Sequence, residues 1–156
     1  MKKSKYSIIS TLILVIILSN FSILNASDSS DFLTLKNNQV NLRQGPSFEH
    51  PIKLIYKKKY LPVIVTDASE TWRKIIDFEN NSGWIHISQL SKKKSAINIK
   101  EHSILYKNST IYSQPIAKLE IGRLVIIKKC KLTWCKIKSG DYKGWILKKY
   151  LWGRIN

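Results

Sequence analysis

The chain has 156 residues, of which 44% are hydrophobic and 24% are charged. This composition is typical of a folded protein and excludes a disordered chain, and the length excludes an enzyme with a separate cofactor domain. The formal net charge is +17, and Lys greatly outnumbers Arg. Such a charge indicates either an anionic partner or a coding bias that scatters Lys over a solvated surface.

The first 26 residues have the sequence pattern of a secretory signal peptide. Three Lys precede an apolar run at residues 8–18, and Ala26 precedes a polar segment at 27–31. The alternative is an uncleaved anchor over residues 6–24, which is just long enough to span a bilayer. We therefore expect an exported, periplasmic protein, or one that is anchored in the inner membrane if the segment is retained.

The chain contains two cysteines, Cys130 and Cys135. Four residues separate them, a spacing that suits a disulfide across a β-hairpin in an oxidising compartment. A metal site would need further ligands, and His50, His86 and His102 lie at no metal-binding spacing. A redox motif would have two intervening residues instead of four. We predict a local disulfide and no metal site.

An internal repeat organises the rest of the chain. Residues 71–75 read Thr-Trp-Arg-Lys-Ile and residues 133–137 read Thr-Trp-Cys-Lys-Ile, and Gly-Trp-Ile follows at 83–85 and 144–146. Short strand-like runs bounded by Gly, Pro and Asn fill each copy, and no long stretch after the signal has helical periodicity. The sequence therefore predicts an all-β protein with two small barrels in tandem, each of about five strands.

The repeat also sets the predicted domain boundaries. These are a signal peptide at 1–26, a short polar linker at 27–31, a first repeat at 32–91, a basic linker or strand at 92–102 and a second repeat at 103–153. The linker includes strand-like residues at 96–99, which are compatible with either barrel.

The motifs of the two copies resemble those of bacterial SH3-like (SH3b) domains. The shared features are an Asn-Leu-Arg-x-Gly-Pro opening at 41–46, a Trp-x-Lys-Ile in mid-domain and a Gly-Trp-Ile near the end. The chain also resembles short exported SH3-like proteins of alphaproteobacteria, which have two repeats, a Cys pair around the second Trp and a Leu-Trp-Gly ending, here at 151–153. The second copy departs from the pattern at 106–109, where Tyr-Lys-Asn-Ser replaces Arg-x-Gly-Pro. The resemblance implies SH3-like barrels that bind cell-wall peptides or other proteins.

Aromatic residues of the repeat are the candidate ligand-binding residues. If Ile75 and Ile85 point into the barrel, strand alternation turns Trp72 and Trp84 outward, where they can stack on a peptide or a glycan. The alternative is that the Trp residues cover a barrel end or pack between the repeats. The resemblance implies that the mid-domain Trp lines a ligand groove, and Arg43, Tyr56 and Tyr60 are expected to flank that groove in the first copy. The full set of candidates is Arg43, Tyr56, Tyr60, Trp72, Trp84, Trp134 and Trp145.

Other residues are assigned structural roles. Gly45 and Pro46 are predicted to form a turn. Gly83 and Gly144 are predicted to allow a tight turn or a close approach of strands. His86 occupies a surface position of the first copy, and we interpret it as incidental.

No arrangement of residues predicts catalysis, and no cofactor motif occurs. We therefore expect no enzyme and no cofactor. The predicted function is that of an exported binding module that recognises peptidoglycan or its peptides in the cell envelope. One alternative is an adaptor that docks an envelope protein through its Trp-bearing faces, and another is charge-driven association with an anionic membrane surface. The export signal argues against a nucleic-acid partner.

Overall fold

The structure is a computed structural model of the chain and describes residues 32–155. The predicted signal peptide at 1–26 and the polar linker at 27–31 lie outside the described residues. Between residues 32 and 155 the fold is antiparallel β with two short 3₁₀ turns. In the same range, no helix is long and apolar enough to cross a membrane. The prediction of an all-β fold with two repeats is confirmed.

The first repeat forms one sheet of seven strands. These are β1 (Phe32–Leu35), β2 (Val40–Arg43), β3 (Ile52–Tyr56), β4 (Pro62–Ser69), β5 (Trp72–Ile76), β6 (Ser82–His86) and β7 (Leu90–Ser91). Their order across the sheet is β3-β2-β6-β5-β4-β1-β7. A 3₁₀ turn at Ile87–Gln89 connects β6 to β7.

The second repeat forms a sheet with the same topology. Its strands are β8 (Ser95–Asn98), β9 (Ser103–Tyr106), β10 (Pro115–Leu119), β11 (Leu124–Cys130), β12 (Trp134–Ser139), β13 (Tyr142–Leu147) and β14 (Leu151–Arg154). Their order is β10-β9-β13-β12-β11-β8-β14, and a 3₁₀ turn at Lys148–Tyr150 precedes the last strand. Each strand of the second repeat therefore has a counterpart in the first.

Each sheet curls around a single apolar core, because all seven of its strands contribute buried side chains. The first core comprises Leu35, Val40, Leu42, Tyr56, Val63, Ile75, Ile85 and Leu90. The second comprises Ala96, Leu105, Leu119, Val125, Ile127, Cys135, Ile137, Ile146 and Leu151. Since successive residues of a strand face opposite sides of the sheet, the neighbours of these residues form the outer surface.

The sheets have seven strands each, where the sequence predicted about five. The additional strands are short, such as β7 with two residues, and so short a strand has too few residues to show an alternating pattern. The segment at 92–102, which the sequence left open to either barrel, contains β8. This strand pairs with β11 and β14 and therefore belongs to the second sheet.

Two glycines allow neighbouring strands to approach closely. A Cβ atom at Gly83 would lie 2.7 Å from the carbonyl oxygen of Arg43, and one at Gly144 would lie 2.6 Å from that of Tyr106. Only a residue without a Cβ permits such an approach. In the first repeat the contact brings β6 against β2, so that Trp84 becomes the register partner of Arg43.

The two barrels pack against each other through the last strand of the second. The ring of Trp152 lies 5.0 Å from that of Phe32, edge to face. Arg154 Nη1 donates a hydrogen bond of 2.7 Å to the carbonyl oxygen of Phe32, and Ser95 Oγ donates one of 2.5 Å to that of Tyr60. The Trp at this junction is therefore Trp152 and none of the four in the repeated motifs.

Cys130 and Cys135 form a disulfide, as predicted. They are register partners on β11 and β12, and their Cα atoms are 4.0 Å apart. Cys135 is fully buried in the second core, and Cys130 packs against that core. Because the closed loop is short, the bond stabilises the hairpin locally.

Loss of the disulfide should lower the free energy of unfolding by about 2 kcal/mol, the chain-entropy value for so short a loop. Urea unfolding with and without reductant measures this difference. Cys130→Ala combined with Cys135→Ala should reproduce the value of the reduced protein, since alanine keeps both positions small and apolar. Equal stability of the oxidised and reduced proteins would contradict the expected contribution.

Candidate functional site

A groove crosses the outer face of the first barrel where β2, β5 and β6 lie side by side. We call it the first groove. Strand pairing assembles it, because Trp72 is the register partner of His86 and both project away from the core residue Ile85. Its volume is about 250 Å³, and its lining residues are Gln39, Asn41, Arg43, Phe48, Trp72, His86 and Gln89.

Three aromatic rings form one wall of the first groove. The ring of Phe48 lies 4.9 Å from that of Trp72 and 5.5 Å from that of His86, and the Trp72 and His86 rings are 5.3 Å apart. Both contacts of Trp72 are edge to face, an arrangement that aromatic pairs favour. Phe48 is 66% exposed whereas Trp72 is 6% exposed. The groove therefore offers Phe48 to a ligand and keeps Trp72 as its support.

The first groove also carries polar groups. Arg43 Nη1 donates a hydrogen bond of 2.7 Å to the carbonyl oxygen of His50, and its guanidinium carbon lies 5.7 Å from the centroid of Phe48. Asn41 Oδ1 is buried and accepts no hydrogen bond from the residues that the structure describes. A buried acceptor without a partner costs about 1–3 kcal/mol. A donor group on a ligand would remove that cost.

Ser88 orients the imidazole of His86. The Ser88 N–H donates to His86 Nδ1 at 3.3 Å, and the Ser88 hydroxyl lies 2.7 Å from the same nitrogen. Because Nδ1 acts as an acceptor, Nε2 carries the proton of the neutral ring. His86 therefore has one nitrogen occupied within the protein and one that can donate to a ligand.

The loop that carries Phe48 contains the predicted turn residues Gly45 and Pro46. Gly45 packs so closely against the His50 ring that a Cβ atom would not fit there. Together with the hydrogen bond from Arg43 to His50, this contact holds the loop against the barrel. The position of Phe48 over the groove depends on both.

The second barrel has a groove at the corresponding place, which we call the second groove. Its volume is about 170 Å³, and its lining residues are Lys100, Glu101, His102, Ser103, Ile104, Tyr106, Ile111, Leu147 and Tyr150. The Tyr106 ring lies 5.7 Å from that of Trp134, edge to face. The predicted residue Trp134 is thus connected to the second groove through Tyr106.

The two grooves differ in chemistry although their strands match. At the positions of Asn41, Arg43, Phe48 and His86, the second repeat has Ile104, Tyr106, Ile111 and Leu147. These changes remove an amide, a cation, an exposed aromatic ring and an imidazole. The first groove is therefore aromatic and polar, whereas the same positions of the second are mostly apolar.

Trp84 and Trp145 lie on the outer faces but do not line either groove. Trp84 is half-buried beside Arg43. Trp145 is 7% exposed, and the ammonium groups of Lys129 and Lys131 lie 5.8 and 5.2 Å from its ring centroid. The lysines thus cover Trp145, and a role in packing describes it better than direct ligand contact.

The structure does not bring Tyr56 and Tyr60 to the first groove, which they were expected to flank. Tyr56 is the register partner of the core residue Val40, so its ring points into the barrel and its hydroxyl donates to Asp77 Oδ2 at 2.8 Å. Tyr60 lies at the junction of the repeats, where its carbonyl oxygen accepts from Ser95. Of the predicted binding residues, Arg43 and Trp72 line the first groove.

Burial, and secondly the hydrogen bond to Asp77, raise the pKa of Tyr56 above its ordinary value of 10.0. Because the pKa of Tyr56 is higher in the folded than in the unfolded state, its protonated hydroxyl contributes stability that is complete below about pH 10. This contribution is lost as the pH rises further. Tyr56→Phe removes the hydrogen bond to Asp77 and should lower the free energy of unfolding by about 1.5–3 kcal/mol at neutral pH. Because phenylalanine does not ionise, the variant should lose less stability than the wild type when the pH is raised.

Urea unfolding at neutral and at strongly alkaline pH measures both effects. Tyr142→Phe is the matched control, because Tyr142 is 55% exposed and should change neither quantity. An alkaline loss in Tyr56→Phe as large as that in the wild type would refute the assignment to Tyr56.

Five residues of the first groove were not among the binding residues predicted from the sequence, namely Gln39, Asn41, Phe48, His86 and Gln89. A hairpin turn between Ile76 and Ser82 pairs His86 with Trp72. The position of His86 beside Trp72 could therefore have been predicted from the register of this hairpin. Phe48 lies in a loop, whose path is not encoded by any periodicity. Asn41 belongs to the recognised opening motif, but only the structure shows that its side-chain oxygen is buried without a donor.

The curled sheets and their outer grooves define a tandem pair of small β-barrel domains. The family model of the bacterial SH3 domain matches residues 36–92 and 101–153, one stretch in each repeat. The chain therefore belongs to the bacterial SH3 domain family, and the resemblance drawn from its motifs is confirmed. Bacterial SH3 domains are binding modules and are generally non-catalytic. No curated protein matches the chain.

Two solved structures similar to the chain are those of NlpC2 and NlpC1 from Trichomonas vaginalis. The sequence identities are 16% and 18%, and the TM-scores are 0.37 and 0.35. The alignments cover 78% and 84% of this chain, but 47% and 50% of those proteins. The chain thus spans about half of their length.

Proposed function

We propose that this protein is an exported, non-catalytic module that binds peptidoglycan or its peptides through the first groove. The observation that carries the proposal is the presence, in one groove, of an exposed aromatic ring and a buried acceptor without a donor. An aromatic ring offers an apolar face for a sugar or an aliphatic side chain. Asn41 Oδ1 offers a hydrogen-bond acceptor for an amide N–H.

Arg43 supplies the charge that such a ligand requires. Stem peptides carry carboxylates, and a guanidinium group binds a carboxylate through parallel N–H donors. The hydrogen bond to the His50 carbonyl uses one of the five N–H donors of Arg43 and fixes the side chain at the groove. The remaining donors are therefore preorganised for an anionic group.

Two further observations support an extracytoplasmic binding role. Disulfides such as that of Cys130 and Cys135 persist in oxidising compartments and are rare in the cytosol. Both repeats match the bacterial SH3 domain, whose members are binding modules. A binding module in an oxidising compartment of a bacterium has the cell wall within reach, and the first groove offers the chemistry to recognise it.

The apolar residues of the second groove favour a second candidate function. Ile104, Ile111 and Leu147 supply apolar side chains where the first groove has polar or aromatic ones. Such a surface suits an apolar segment of a protein better than a sugar chain. An adaptor role, in which this groove docks an envelope protein, is therefore the alternative to wall binding.

The first test is co-sedimentation of the mature chain, residues 27–156, with purified peptidoglycan sacculi at moderate and high salt. We expect retention that persists at high salt, because contacts in a groove are screened less than contacts between surface charges. Phe48→Ala and Asn41→Ile should each weaken retention about tenfold, a typical loss for a residue at the centre of an interface. The isoleucine is the residue that the second repeat has at the position of Asn41, so the fold should tolerate it.

Ile111→Ala is the matched control, since Ile111 is the counterpart of Phe48 in the second groove and is 57% exposed. Unchanged retention in Phe48→Ala and Asn41→Ile would exclude the first groove as the site. Retention that only Ile111→Ala weakens would move the site to the second groove. No retention by the wild type would refute wall binding and favour the adaptor role.

A further inference from the structure

The hairpin of β11 and β12 ends in an exposed apolar residue. Lys131 and Trp134 close its tip through backbone hydrogen bonds of 2.8 and 3.3 Å, and Leu132 between them is 96% exposed. The disulfide of Cys130 and Cys135 is the next pair along the strands, so the tip is rigidly held. Leu132 is not isolated, because it lines a shallow apolar depression together with Leu147, Leu151 and Ile155.

Lysines surround this tip on the outer face of the hairpin. Lys129 is the register partner of Lys136, which is itself the register partner of Trp145. Lys131 lies over the same Trp145 ring. Like charges directly opposite each other destabilise a sheet. Among the residues described, none of the three lysines has an acidic group within 4.0 Å. Their charge is therefore available to an external anion.

The first repeat does not share this surface. Matching strand positions place Asp67, Ser69 and Glu70 where the second repeat has Lys129, Lys131 and Leu132. Lys136 alone has a lysine, Lys74, as its counterpart. The hairpin thus carries charges of both signs in the first barrel and is basic with an apolar tip in the second. Since both barrels form the hairpin, the fold itself does not require Lys129, Lys131 or Leu132.

We propose that this hairpin docks the protein on an anionic phospholipid bilayer, with Leu132 inserted between the headgroups. Lysine attracts anionic lipids, and its long aliphatic stem lets the ammonium group stay at the headgroups while the rest packs on apolar groups. An exposed leucine adds affinity only if the partner offers an apolar interior, which a bilayer does and a soluble polyanion does not. The combination of the lysines with Leu132 therefore favours a membrane over an acidic polysaccharide. This proposal does not depend on ligand binding in the first groove.

The test is co-sedimentation of the mature chain with vesicles of phosphatidylcholine alone or mixed with phosphatidylglycerol. We expect binding to the mixed vesicles that falls with rising salt. The variant Lys129→Gln, Lys131→Gln, Lys136→Gln should bind roughly a hundredfold more weakly, since each lysine at an anionic surface contributes about fivefold. Leu132→Ser should weaken binding about tenfold with all lysines present.

In the matched control, the three exposed lysines at 92–94 are each replaced by Gln, which removes the same charge at another place on the surface. It should weaken binding far less than the hairpin variant, and an equal effect would overturn the proposal in favour of overall charge. Binding that Leu132→Ser leaves unchanged, or that soluble polyphosphate matches in affinity, would overturn the bilayer as the partner. A second variant, Lys129→Asp, Lys131→Ser, Leu132→Glu, places on this hairpin the residues with which the first repeat folds. It should also lose binding to the mixed vesicles, and this loss cannot be attributed to misfolding.

Discussion

The outer surface of each barrel depends on how its interior is filled. All seven strands contribute to each core, and Ile75 and Ile85 are fully buried in the first. Because adjacent residues of a strand face opposite sides, this burial turns His86 outward, and register pairing places Trp72 beside it. The first groove is therefore a consequence of core packing, and the close approach at Gly83 completes it by bringing β2 alongside.

The two repeats preserve this interior and differ on the outside. Ile137 and Ile146 are buried in the second barrel as Ile75 and Ile85 are in the first. The outward-facing residues that alternate with these buried isoleucines along the strands do not have to fill the core. At these positions the first repeat carries amide, guanidinium and imidazole groups, whereas the second carries Ile104, Tyr106 and Leu147 in its groove and lysines on its hairpin. One fold thus presents two surfaces with different chemical preferences within a single chain.

Features that depend on local order were predictable from the sequence. The Trp and Gly spacing revealed two copies, the short separation of the cysteines indicated a disulfide across a hairpin, and strand alternation turned Trp72 outward. These predictions use neighbours along the chain or the geometry of a single hairpin.

Features that depend on loops or on register between distant strands were not predictable in the same way. Tyr56 was assigned to the groove, but its pairing with Val40 turns it inward. Phe48 reaches the groove through a loop held by His50, and no pattern in the sequence specifies that path. The lysines on β11 and β12 appeared scattered along the chain, because only the register places Lys129 opposite Lys136 and both beside Trp145. Composition alone therefore could not distinguish a solvated face from a cluster of charge.

The junction at Trp152 also fixes how the two grooves are placed relative to each other. Because Trp152 and Arg154 fasten the second barrel to Phe32 of the first, the distance between the two grooves is set by packed side chains and not by a flexible linker. Bivalent binding then depends on matching lengths. A ligand that spans the fixed separation gains a high effective concentration for its second contact, and a shorter one gains nothing. The junction thus sets the separation between the wall ligand proposed for the first groove and the protein partner proposed for the second.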